Sequence, residues 1–254
     1  MLMSSLILPD KEIQNIKMII FDKDGTLIDV HHYWCSMIEL RANFFLDTIT
    51  NEDINKENLY NDLVDNMGID LDTKKMKTKG PVGIKPRSFI INVALKTIQK
   101  YEKSYTQELV EEVFNKVDES SKEKLNDIVK VLPGVETLLE NLTKASIKIS
   151  IATTDLSSRA ILAMESLKLK HYFVDIVGSD LVKNAKPSAD LVEYILEKYA
   201  LSKEEVLVVG DSMADFGMAK NVDCKFLAVR TGLCTNEFID KSENIIEDLT
   251  QIKV

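Results

Sequence analysis

No apolar run in this sequence approaches the roughly 20 residues that a membrane-crossing helix needs. It also lacks any block of lysine and arginine. Its 32 basic residues face 41 acidic ones, for a formal net charge of −9. That balance argues against a nucleic-acid partner and against anionic membranes or highly acidic polymers. A small phosphorylated substrate is compatible, because a pocket can be positive on an acidic protein. Cysteine is scarce. Cys35, Cys224 and Cys234 have no metal-ligand spacing, and an odd count builds no disulfide framework. Reduced thiols in the cytoplasm are therefore expected. The apolar Leu6-Ile7-Leu8 has no basic flank and no full hydrophobic region, so no signal peptide is expected. Internal repeats and low-complexity tracts are lacking too.

What is present reads as a globular chain with 29% charged and 45% apolar residues. At 254 residues it is long enough for a core domain plus an insert. Met18 to Phe21 is a short apolar run closed by turn residues, which predicts a buried strand. From His31 to Asp47, Trp34, Met37, Ile38, Arg41, Phe44 and Phe45 recur at helical spacing. A second helix is expected around Asn55–Asn66. The Gly- and Pro-containing stretch 79–87 reads as a loop. Ser88 would cap a helix through Ile91, Leu95 and Ile98, and Glu108–Val117 adds another.

After about residue 130 the pattern changes. Strands at Ile147–Ala152, Phe173–Val177, Val206–Val209, Lys225–Val229 and Ile245–Ile246 alternate with helices at Val135–Leu142, Ser157–Leu167, Ser188–Tyr199 and Ala214–Ala219. Alternation of this kind predicts an α/β fold, a Rossmann-like parallel sheet of right-handed βαβ units. The core domain would comprise residues 1–29 and 131–254. Residues 30–130 would form a helical insert without strands.

Polar residues cluster where these strands end, which is where ligands bind in an open α/β sheet. Asp22 and Asp24 close the first strand, and Gly25 lets the chain turn sharply. Carboxylates this close repel unless a cation or a proton separates them. Thr153 follows the strand at 147–152 and offers a hydroxyl. Lys186, before Pro187, offers a positive charge for a phosphate. Asp211 closes the strand at 206–209, and Asp215 lies one helical turn further on. Carboxylates without histidine or cysteine partners select a hard cation, with Mg²⁺ the usual choice beside phosphate.

In this order the features resemble the haloacid dehalogenase superfamily of aspartate-nucleophile phosphatases. Asp22-Lys-Asp-Gly-Thr26 matches its first motif, Thr153 the second, Lys186-Pro187 the third, and Gly210-Asp-Ser-Met-Ala-Asp215 the fourth. Leu132-Pro-Gly-Val-Glu-Thr-Leu-Leu139 looks like the segment where the chain re-enters the core. A helical insert between motifs one and two is the family's C1 cap, as in phosphoglycolate-phosphatase-like members.

The resemblance implies a Mg²⁺-dependent phosphatase acting on a small phosphorylated metabolite through an aspartyl-phosphate. Asp22 would be the nucleophile and Asp24 the acid and base. Thr153 and Lys186 would hold the phosphoryl oxygens. Asp22, Asp211 and the Asp24 main-chain carbonyl would ligate Mg²⁺, with Asp215 orienting a metal-bound water or another ligand. A second acid at position 24 sets the chain apart from dehalogenases and phosphonatases. A β-phosphoglucomutase-type phosphomutase is the nearest alternative. It would carry a histidine where this chain has Trp34, and His31 and His32 do not match. An inactive binding or regulatory protein on the same fold is the alternative of another class. Lys85 and Arg87 are candidates for touching an anionic leaving group, and Tyr33 and Trp34 for lining the pocket. A monomer or weak homodimer is expected.

Overall fold

The computed structural model describes residues 5–82, 85 and 87–254. Gly83, Ile84 and Pro86 of the expected 79–87 loop, and the first four residues, lie outside the described residues. Two compact units result: one comprises Met1–Asp29 with Val129–Val254, the other Val30–Ile128.

In chain order the described elements begin with β1 (Leu6–Ile7), β2 (Glu12–Ile13) and β3 (Met18–Phe21). Five helices follow: α1 (Val30–Thr48), α2 (Lys56–Met67), α3 (Arg87–Ile98), α4 (Gln107–Glu123) and α5 (Leu125–Ile128). The remainder comprises α6 (Val135–Lys144), β4 (Lys148–Ala152), α7 (Ser157–Ser166), β5 (Asp175–Val177), α8 (Asp190–Tyr199), β6 (Val206–Gly210), α9 (Met213–Val222), β7 (Lys225–Val229), α10 (Asn236–Lys241) and β8 (Ile245–Ile246).

In the first unit, β3 to β8 form one sheet in the order β5-β4-β3-β6-β7-β8, and every pairing is parallel. A parallel sheet is covered on both faces, so its strands are apolar throughout rather than alternating. β3 obeys this: Met18, Ile19, Ile20 and Phe21 are all fully buried. So are Val206, Leu207, Val208 and Val209 of β6. One side of the sheet packs on Leu191, Val192 and Ile195 of α8 and on Met218 and Ala219 of α9. α6 packs on β4. The chain lays β4 and β5 to one side of β3, then crosses over to lay β6, β7 and β8 to the other. That reversal makes the β3–β6 boundary the topological switch point. β1 and β2 form a separate antiparallel pair that the sequence pattern did not suggest.

The second unit is helical, and an isolated bridge between Ile69 and Met76 is its nearest approach to a strand among the described residues. α1 packs on α2 and α4, and α3 on both of those helices. Phe45, Leu63, Ile98, Phe114 and Val117 are fully buried in it. Asn55 and Thr106 cap α2 and α4 through their side-chain oxygens. Ser88, expected as a cap, is instead the second residue of α3. The first turn of α3 is tied down from outside, because the Arg87 guanidinium donates to Asp118 (2.6 Å) and Asn115 (2.9 Å) of α4.

Ile20 is fully buried in the central strand and packs in the cluster formed with α8 and α9, so truncating it leaves a cavity there. Ile20→Ala is expected to cost about 2–5 kcal/mol of stability, measured by urea denaturation.

Candidate active site

The parallel register brings three distant segments to one edge. Phe21 pairs with Ile151 of β4 and Val209 of β6, so the residues that follow each strand emerge together. The Asp22 amide still belongs to the sheet and donates to the Val209 carbonyl at 2.8 Å. Beyond it the chain folds back on itself: the Leu27 and Ile28 amides donate to the Lys23 carbonyl, and Gly25 N–H to the Ile28 carbonyl.

Asp22, Asp211 and Asp215 are buried, each offering a carboxylate oxygen within 4.8 Å of the others. Lys186 lies between two of them. Its Nζ donates to Asp22 Oδ1 at 2.6 Å and to Asp215 Oδ1 at 2.5 Å, with only 2% of its side chain exposed. Burial opposes its charge, but attraction to Asp215 and Asp22 outweighs burial, so its pKa is raised. Burial raises Asp22 to about 7 against the opposing pull of Lys186, and repulsion from Asp215 and Asp24 adds to the rise. Asp211 is driven well up by burial and by repulsion from Asp22 and Asp215.

Asp211 is clasped on several sides. Leu233 N–H donates to its Oδ2 at 3.0 Å, and the Thr26 hydroxyl to its Oδ1 at 3.4 Å. Two glycines allow this closeness. A Cβ on Gly25, whose φ is +94°, would stand 2.5 Å from Asp211 Oδ2, and one on Gly232 would stand 1.7 Å away. Thr231 ties the loop after β7 to the first turn by donating to the Gly25 carbonyl at 2.6 Å.

Asp215 is differently placed. Its Oδ2 accepts from the Ser212 hydroxyl (2.6 Å) and amide (3.1 Å), a capping box at the start of α9. With Lys186 on its other oxygen, both oxygens of Asp215 are committed within the protein. Thr153 is buried, its amide bonded to the Val177 carbonyl and its hydroxyl accepting from the Asp155 amide at 3.1 Å. Asp24 is partly exposed, and Lys23 Nζ donates to its Oδ1 at 2.8 Å.

A family model for haloacid dehalogenase-like hydrolases matches residues 19–229. The chain belongs to that family. It is 33% identical over 111 residues to a phosphoglycolate phosphatase of Vibrio cholerae, an alignment covering 44% of this chain and 49% of the relative. A phosphorylated carbohydrates phosphatase of Thermotoga maritima is 32% identical over 106 residues, covering 42% and 49%. The chain thus spans about half the length of the curated relatives it matches. Two solved structures share the fold across nearly the whole chain. A predicted phosphoglycolate phosphatase from Haemophilus somnus superposes with a TM-score of 0.67 at 20% identity, covering 92% of this chain and 95% of that one. A Thermotoga maritima protein provisionally assigned as a β-phosphoglucomutase gives 0.67 at 20%, covering 93% and 96%.

In this haloacid dehalogenase-like chain, the structure gathers Asp22, Asp211, Asp215 and Lys186 around one point in the α/β unit. Lys85 and Arg87 belong to the helical unit. Lys85 is exposed, its amide donating to the Pro81 carbonyl at 2.7 Å, whereas Arg87 is bound to Asp118 and Asn115. Sequence reading passed over Lys23, Asp155, Ser212 and the Thr231–Leu233 loop. Only Ser212 carried a usable signal, a Ser three residues before an acid at a helix start.

The raised Asp22 pKa has a stability signature. The folded state holds this proton more tightly than the unfolded chain, whose carboxyl titrates near 3.8. Stability from that proton is complete below about pH 4 and is lost as the pH rises through about 7. Asp22→Asn does not titrate. In chelator-treated protein, its melting temperature relative to wild type is expected to climb between about pH 4 and 7.5. A flat or falling difference would contradict the assigned burial effect.

Proposed function

We propose that this protein is a Mg²⁺-dependent phosphatase of small phosphate monoesters that works through an aspartyl-phosphate on Asp22. One observation carries the reading: a buried lysine and three buried carboxylates converge where three parallel strands end. The donor set fits a hard divalent cation, being all oxygen and crowded enough to drive protons onto Asp22 and Asp211. Asp22 and Asp211 would hold Mg²⁺ by their carboxylates and Asp24 by its main-chain carbonyl. Asp215, already committed to Lys186 and Ser212, would orient a metal-bound water or another ligand. The bound ion would offset carboxylate repulsion and the charge on the phosphoryl oxygens.

An Asp22 oxygen attacks phosphorus while the bond to the leaving oxygen breaks. Asp24 gives that oxygen a proton. Water then attacks the phosphoryl group, Asp24 takes the water's proton, and the bond from phosphorus to Asp22 breaks. Thr153 and Lys186 steady the phosphoryl oxygens, which is most of what phosphoryl transfer requires of a protein. Reduced cysteines, which form no disulfide among the described residues, suit a cytoplasmic setting. No described helix is long and apolar enough to cross a membrane.

The test is phosphate release from a panel of sugar phosphates, phosphoglycolate and nucleotides, with and without Mg²⁺. Release should require Mg²⁺ and fall by more than about a thousandfold in Asp22→Asn. Phosphate returned to an isomeric product instead of released would identify a phosphomutase, and no turnover of any ester would favour a binding role. Within the helical unit, Lys85→Ala should raise KM without altering the Mg²⁺ requirement. Arg87→Ala should raise KM and also lower the melting temperature, since it breaks the bonds to Asp118 and Asn115.

A further inference from the structure

Lys23 stands between the two acids of the first motif and is only 1% exposed. Lysine is almost never buried this deeply without a partner. Its Nζ lies 2.8 Å from Asp24 Oδ1 and 3.3 Å from Asp155 Oδ2. Asp155 is itself fixed. Its Oδ1 accepts from the Leu156 amide at 2.8 Å, its amide donates to the Thr153 hydroxyl, and its carbonyl accepts from the Ser179 amide at 3.0 Å. The chain Asp24–Lys23–Asp155 therefore ties the carboxylate after β3 to the loop after β4 that carries Thr153.

Asp24 needs such a tie. It is less buried than Asp22 and lies beyond the end of β3, outside the strand's own hydrogen bonds. Proton exchange demands a carboxylate within hydrogen-bond reach of the oxygen concerned, and a misplacement of 1 Å can cost about a hundredfold. We propose that Lys23, anchored by Asp155, is a positioning residue that holds the Asp24 carboxylate where it serves the leaving oxygen. This rests on the acid–base role given to Asp24 above. The arrangement has a counterpart in Asp22–Lys186–Asp215, where a buried lysine also joins two carboxylates. Lys186 has a phosphoryl group to meet, whereas Lys23 touches the residue that handles the proton.

The experiment compares wild type, Lys23→Met, Asp155→Asn and Asp24→Asn, each with Mg²⁺, on aryl phosphates of graded leaving-group pKa. The series runs from p-nitrophenyl phosphate, whose anion departs without a proton, to phenyl phosphate, whose anion departs poorly. kcat/KM reports the first transfer. Lys23→Met should lose about tenfold on phenyl phosphate and less than about threefold on p-nitrophenyl phosphate, a part of the roughly 10²–10⁴ that acid catalysis supplies. Asp155→Asn should tilt the series the same way by a smaller factor, and it decides the matter should Lys23→Met fail to fold. Asp24→Asn should give the steepest dependence. An equal loss on all esters in both Lys23→Met and Asp155→Asn, or no loss, would overturn the positioning role. If Asp24→Asn itself shows no leaving-group dependence, the acid role of Asp24 fails, and the role of Lys23 falls with it. A steep Asp24→Asn beside flat Lys23→Met and Asp155→Asn overturns the Lys23 proposal alone.

Discussion

Crowding of like charge at the end of a buried sheet is the constraint on which this site depends. Asp22, Asp211 and Asp215 bring carboxylate oxygens within 4.8 Å of one another away from water. Unrelieved, such a group would be untenable, because burial and mutual repulsion both penalise ionisation. Lys186 relieves part of it by bonding two of the three. Hydrogen bonds from Leu233 N–H and Thr26 hold the third. What is left pushes the Asp22 and Asp211 carboxyls toward protonation. A site in that state gains from any ligand that brings positive charge.

The sheet makes the crowding possible. β3 occupies the centre, with β4 and β6 in register on either side, so three loops remote in sequence must leave from one edge. β3 and β6 are apolar and buried throughout, and a close-packed interior deforms little. The cost of holding the acids together is thus met by the burial of strands that carry no chemistry. The loop after β7 completes the enclosure, with Gly232 admitting the Asp211 carboxylate where any larger residue would collide with it.

Legibility in the sequence followed the same division. β3, β4, β6 and β7 were readable because a buried parallel strand is a short unbroken apolar run, and such runs stand out between turns. The acids closing them were readable for the same reason. β1 and β2 were not, since a strand of two residues has no period to detect. The start of α3 was displaced because Arg87 is fixed by α4, a contact that no local rule contains. Lys23 was missed on principle: lysine is ordinarily a surface residue, and only the fold reveals that this one is enclosed by Asp24 and Asp155. The commitment of Asp215 to Ser212 was latent in their spacing, yet its bond to Lys186 joins residues 29 apart.

Taken together, the two buried lysines change how the charge of the site should be counted. Five carboxylates, those of Asp22, Asp24, Asp155, Asp211 and Asp215, face the ammonium groups of Lys23 and Lys186 and the Arg159 guanidinium, which lies 3.7 Å from Asp155. With every carboxylate ionised, these groups carry two negative charges in excess, and a phosphate ester would add to them. An arrangement of that sign cannot attract a phosphate by itself. Either protons or a cation must enter first, and a proton on Asp22 would disable it in the nucleophilic role proposed for it. A divalent cation leaves Asp22 ionised and still reduces the excess. In the mechanism proposed above, the same groups that would perform the displacement would thus make it conditional on the metal.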